Sequence, residues 1–76
     1  MTQQLGKRLE KKVRPFENGD WVRNRFSGEW CKLNGMELAV HNKLFESERI
    51  QDWITMNQCR EWFMKNNVDA YMTLID

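Results

Sequence analysis

Along residues 20–40 apolar and polar side chains alternate with period two, in runs near 20–26, 29–33 and 36–40. Such alternation predicts strands. The runs are separated by Ser27-Gly28 and Asn34-Gly35, and Asn-Gly between strand-like runs is a strong hairpin signal, because a type I′ turn needs positive φ at both central positions. The pattern predicts a three-stranded antiparallel meander in which a β-branched side chain at Gly35 would be strained.

With two-residue turns the register follows by counting. Val22 opposes Leu33, Asn24 opposes Cys31 and Phe26 opposes Glu29; across the second turn Leu33 opposes Met36, Cys31 opposes Leu38 and Glu29 opposes Val40. Directly opposed residues share a face of the sheet. One face, with Val22, Phe26, Cys31, Leu33, Met36, Leu38 and Val40, is the predicted core, and Asn24 and Glu29 are its polar exceptions. The opposite face carries Trp21, Arg23, Arg25, Trp30, Lys32, Glu37, Ala39 and His41.

Residues 42–54 admit two readings. Asn42 could cap a helix, whereas Ile50, Asp52 and Ile54 alternate with Gln51, Trp53 and Thr55; the alternation predicts a turn followed by a fourth strand near 49–54. Thr55-Met56-Asn57-Gln58 has capping-box spacing. Met56, Cys59 and Phe63 then give an apolar stripe beside Trp62, so a helix near 56–66 is expected on the sheet, ending at Asn66-Asn67 in the left-handed region. Val68, Ala70, Met72 and Leu74 alternate again and predict a final strand near 68–75. At the other end Leu5, Leu9 and Val13 form a narrow stripe, weakened by Gly6 and stopped by Pro15. The expected fold is a small single α+β domain over 1–76, with residues 1–14 a weakly helical or flexible basic segment.

Length limits what this layout can do. A chain of 76 residues and 9.3 kDa hides about 63% of its unfolded surface, enough for one modest core and too little for an enzyme with its own cofactor domain. With 41% hydrophobic and 30% charged residues the composition is that of a folded domain. The net charge of +1 conceals a split: residues 1–32 hold 8 Lys/Arg against 4 acids, and residues 33–76 hold 4 against 7. One basic and one acidic surface follow, and a basic surface suits a phosphate backbone or an acidic protein.

Catalytic constellations are sparse. Cys31 and Cys59 lie 28 positions apart without a C-x-x-C pair and read as small buried hydrophobes in a reducing compartment, where a bridge between them is disfavoured. His41 stands alone near a strand end, and one His with two distant Cys does not make a metal set. Glu46, Glu48 and Asp52 are close in sequence but belong to a charged, solvated stretch. Residues 1–14 contain no apolar run, so neither a secretory signal nor a membrane span is expected, and the chain is placed in the cytoplasm, unprocessed. No cofactor and no metal are expected.

One feature rises above this background. Trp21 and Trp30 interleaved with Arg23, Arg25 and Lys32 supply stacking surfaces beside cations. Either a partner covers them, or the Leu5, Leu9 and Val13 stripe lies across them as a second small core. Gly19-Asp20-Trp21-Val22-Arg23 resembles the opening of small SH3-like or Tudor-like barrels over five residues only, and the later helix departs from such a barrel, so no family is assigned. The sequence points to a small non-enzymatic accessory or regulatory protein that binds a larger protein, through this surface or the acidic C-terminal half, and acts by occlusion or inhibition. The alternative is a nucleic-acid-binding module on the same basic aromatic face. The oligomeric state is not indicated.

Overall fold

A computed structural model of the chain describes Leu9 and residues 13–75. In order these form β1 (Asp20–Arg23), β2 (Trp30–Leu33), α1 (Gly35–Arg49), α2 (Trp53–Asn66), α3 (Val68–Ala70) and a π-helical turn, Tyr71–Ile75. Two antiparallel strands lie beside a helical layer, a mixed α+β arrangement. The expected meander of four or more strands with one helix is therefore corrected. The strands expected near 36–40 and 49–54 are both helical or lie in the turn between α1 and α2, and that near 68–75 is α3 and its π-helical extension. The segment expected to be weakly helical, 1–14, falls outside the described residues except for Leu9, Val13 and Arg14, of which Val13 donates its N–H to the Leu9 carbonyl at 3.2 Å.

The first hairpin forms, with a longer loop than expected. Asp20 opposes Leu33, Trp21 opposes Lys32, Val22 opposes Cys31 and Arg23 opposes Trp30, a shift of two residues from the counted register. The cause is Asn24. Its side-chain oxygen accepts from the Phe26 and Ser27 amides at 2.8 and 3.2 Å, its carbonyl accepts from Gly28 at 2.8 Å, and its own N–H reaches the Glu29 carbonyl at 2.8 Å. This Asx-type turn spends residues 24–29 on the reversal, with Gly28 at φ 79°, where a two-residue Ser27-Gly28 turn was expected. Phe26, placed in the core by the shorter turn, is 86% exposed.

Asn34-Gly35 starts a helix and makes no hairpin. The Asn34 side chain accepts from the Glu37 N–H and the Glu37 carboxylate accepts from the Asn34 N–H, both at 2.8 Å, a reciprocal capping box. Gly35 does not take positive φ; it is small because a Cβ there would collide with the Phe16 carbonyl oxygen, whose residue donates its N–H to the Gly35 carbonyl at 3.1 Å. Met36, Leu38 and Val40 alternate, but burial follows helical spacing through Glu37, Val40, Leu44 and Ser47.

The turn between α1 and α2 replaces the expected fourth strand. The Gln51 N–H bonds the Glu48 carbonyl at 3.1 Å and the Asp52 N–H bonds the Ser47 carbonyl at 2.8 Å, with Gln51 at φ 60°, a Schellman closure. Asp52 then opens α2: its carboxylate accepts from the Thr55 N–H at 3.2 Å and from the Thr55 hydroxyl at 2.7 Å. The cap is thus three residues earlier than the Thr55-Gln58 box expected, and the Gln58 Oε1 is buried without a hydrogen-bond partner. At the far end Asn67 is extended, φ −157°, and not left-handed. It donates from Nδ2 to Glu37 at 2.9 Å and accepts from the Ala70 N–H at 3.1 Å, starting α3.

The core is a single cluster of Leu9, Leu33, Val40, Leu44, Cys59, Trp62, Phe63, Ala70 and Leu74, with Val22, Cys31, Met36 and Leu38 packed against it. Cys59 is buried, Cys31 half-buried, and neither forms a disulfide. Among the described residues no helix is long and apolar enough to cross a membrane.

Two stability predictions follow from these joints. Glu37→Ala deprives the Asn34 N–H and the Asn67 amide of their acceptor, so urea unfolding should report a loss of at least about 2 kcal/mol. A double-mutant cycle with Asn67→Ala should give a coupling of at least about 0.5 kcal/mol, and additive losses would show that the two side chains do not communicate. Gln51→Gly relieves a left-handed residue and should raise stability by about 1 kcal/mol. Thermal melting checks it, and a lowered midpoint would contradict the Schellman closure.

Candidate functional site

The register brings Trp21, Arg23, Trp30 and Lys32 onto one face of the ribbon, opposite Val22, Cys31 and Leu33, which turn toward the core. Because the register shift is even, each strand residue keeps the face that the shorter turn would have given it. Trp21 opposes Lys32 and Arg23 opposes Trp30, so the two indoles are diagonal neighbours and so are the two cations. Trp21 is 57% and Trp30 59% exposed, whereas Leu9, from the segment that could have covered them, is fully buried in the main core. Arg25 is not on the strand. It lies in the loop with its guanidinium 4.9 Å from the centre of the Phe26 ring, a cation–π pair at the hairpin tip.

A second feature depends on α1, which the alternation at 36–40 conceals. A groove of about 800 Å³ opens between the hairpin tip, the two long helices and the C-terminal turn. Its apolar lining is Phe26, Leu44, Phe45, Met56, Leu74 and Ile75, and its charged lining is Arg23, Arg25, Arg49 and Arg60 with Glu48. Among the described residues none of these four guanidinium groups makes an ion pair. The helical spacing of Phe45, Glu48 and Arg49, and of Met56 and Arg60, would have revealed these neighbours had 36–54 been read with period 3.6.

His41 also lines this groove, its ring 4.7 Å from that of Phe45 and tilted by 56°. Its Nδ1 is buried without a hydrogen-bond partner. Burial pushes the imidazole below its ordinary range, and a hydrogen bond with the Asn42 side chain opposes this only in part. Cys31 moves the other way: burial, then the Glu37 and Asp69 carboxylates, push its thiol up, which keeps it protonated and a poor nucleophile.

The acidic trio does not converge. Glu48 faces the arginine-lined groove, Glu46 lines a separate hollow of about 210 Å³, and Asp52 is engaged in capping α2. Among the described residues no group of three or more His, Cys, Asp and Glu is placed to hold a metal ion. No family model matches the chain, and no curated protein and no solved structure matches it.

His41 makes stability depend on pH in a definite direction. Its folded value lies below the ordinary one of 6.5, so between the two the unfolded state holds more protons and stability falls as pH drops. The loss begins near the unfolded value and levels off below the folded one. The melting midpoint should decline between about pH 7.5 and pH 5.5, and less so in His41→Asn. Equal declines in the two proteins would remove His41 as the cause.

Proposed function

We propose that this chain is a small non-enzymatic accessory protein that docks on a larger protein through the Trp21 and Trp30 face and acts by covering a surface of that partner. The observation that supports the reading is the diagonal pair of indoles, each more than half exposed, flanked by Arg23 and Lys32 on a face turned away from the core. Trp and Arg are among the side chains that most often anchor protein interfaces, Trp because it buries a large rigid area and Arg because its planar fork makes several hydrogen bonds. A nucleic-acid strand could use the same rings, but Asp20 and Glu29 on the same hairpin dilute its positive charge and favour a protein. Cys31 and Cys59 without a disulfide fit a reducing, cytoplasmic setting.

The test is direct. Immobilised protein is exposed to extract from its own cells with and without nuclease, and the captured protein is purified and titrated against the wild type and Trp21→Ala/Trp30→Ala. A discrete partner that survives nuclease should bind the double variant at least about 30-fold more weakly, the equivalent of losing one anchor of 2 kcal/mol. Arg23→Glu/Lys32→Glu keeps both indoles and should weaken the same complex, which guards against a variant that fails to fold. Unchanged affinity, or capture that disappears with nuclease, overturns the protein-docking reading.

A further inference from the structure

Four arginines from separate stretches of the chain, at the end of β1, in the hairpin loop, in the last turn of α1 and midway along α2, meet around one apolar hollow. Like charges gathered in this way repel one another, and among the described residues one carboxylate, Glu48, stands with them. Among the described residues no ion pair occupies the guanidinium groups, and Arg25 stacks on Phe26. Beneath them Leu44 and Leu74 are buried while Phe45, Met56 and Ile75 are half-buried, so part of the apolar lining remains open to the groove. A volume of about 800 Å³ is within the range of sites that enclose a ligand or an anchoring side chain.

We propose that this groove binds an acidic amphipathic peptide segment of a protein partner, with one or two large apolar side chains on the Phe45, Met56 and Ile75 floor and carboxylates on Arg25, Arg49 and Arg60. Charge complementarity selects the occupant. A small inorganic anion offers nothing to the floor, and a neutral apolar molecule leaves the arginines unanswered. A fatty acid has one carboxylate for four guanidinium groups. A peptide carrying several Asp or Glu side chains around a Leu or Phe anchor meets both requirements, and guanidinium groups pair with carboxylates in two-pronged geometry. The buried Nδ1 of His41, lacking a partner on this wall, is a further polar atom that a ligand approaching the groove could satisfy.

This site shares Arg23 with the indole face but includes neither tryptophan, and the experiment separates them. The probe is a fluorescein-labelled synthetic peptide of about twelve residues, Asp and Glu with Leu and Phe spaced to share one helical face. Anisotropy should show saturable binding to the wild type, weakened at least tenfold by Arg25→Glu/Arg60→Glu and by exchanging the Leu and Phe of the probe for Ser. Trp21→Ala/Trp30→Ala should leave the probe's affinity unchanged. Circular dichroism confirms that the arginine variant is folded; should it not be, Arg25→Gln/Arg60→Gln serves in its place and should weaken binding at least threefold. Three outcomes overturn the proposal: no saturation up to about 1 mM probe, equal binding of the Ser probe, which would reduce the groove to a charged surface, or stronger binding of an oligothymidylate than of the peptide.

Discussion

Glu37 sits in the first turn of α1, nearly buried, and its two carboxylate oxygens reach in opposite directions: one to the Asn34 amide where β2 hands over to α1, the other to the Asn67 side chain where α2 hands over to α3. A buried carboxylate is tolerated only when its lone pairs are met, and here the donors come from residues separated by about half the chain. The hairpin therefore cannot drift from the helices without stripping a charge of its partners. Asn67 extends the constraint, because its backbone N–H closes the end of α2 on Phe63 while its carbonyl and side chain start the C-terminal turn. Asn24 completes the frame from the other end, donating its side-chain amide to the Thr73 carbonyl at 2.9 Å. Three polar side chains thus fix the relative placement of elements that a small core alone would hold loosely.

How much of this was legible in the sequence depended on whether a local pattern had competitors. β1 and β2 have one strong alternation each, and α2 has Cys59, Trp62 and Phe63 at spacings that a strand cannot share, so the pattern places all three elements near their observed positions. α1 was hidden because Met36, Leu38 and Val40 alternate as a strand would, and Asn34-Gly35 satisfies two rules at once. Asn-Gly favours a tight turn, but Asn followed three residues later by Glu is also a capping box, and tertiary contacts with Phe16 and Asn67 decide for the helix. The short runs at 49–54 and 68–75 were misread for the same reason. Gln51 closes a helix in a conformation usually left to Gly or Asn, so nothing in its identity announces the boundary.

The same competition between periods decides which surface the sequence pattern reveals. Residues on the ribbon can be assigned to a face by parity alone, which groups Trp21, Arg23, Trp30 and Lys32 as observed but also places Arg25 with them, where the structure puts it in the loop. The groove needed three elements at once. Arg49 and Arg60 lie eleven positions apart, and no periodicity links them until α1 and α2 fold back on each other at Asp52, whose amide ends the first helix and whose carboxylate begins the second.

Parity has one more implication, for how this chain can change over evolutionary time. A strand pair tolerates a pairing register that slips by two residues, since every side chain then returns to its original side, while a slip of one residue turns the whole set over. The six-residue reversal at 24–29 is the part of the chain that holds Arg25 and Phe26 over the groove. Insertions and deletions that keep the pairing, or shift it in even steps, would alter the reach of that overhang and leave the tryptophan face intact, giving descendants a way to retune one surface while the other stays the same.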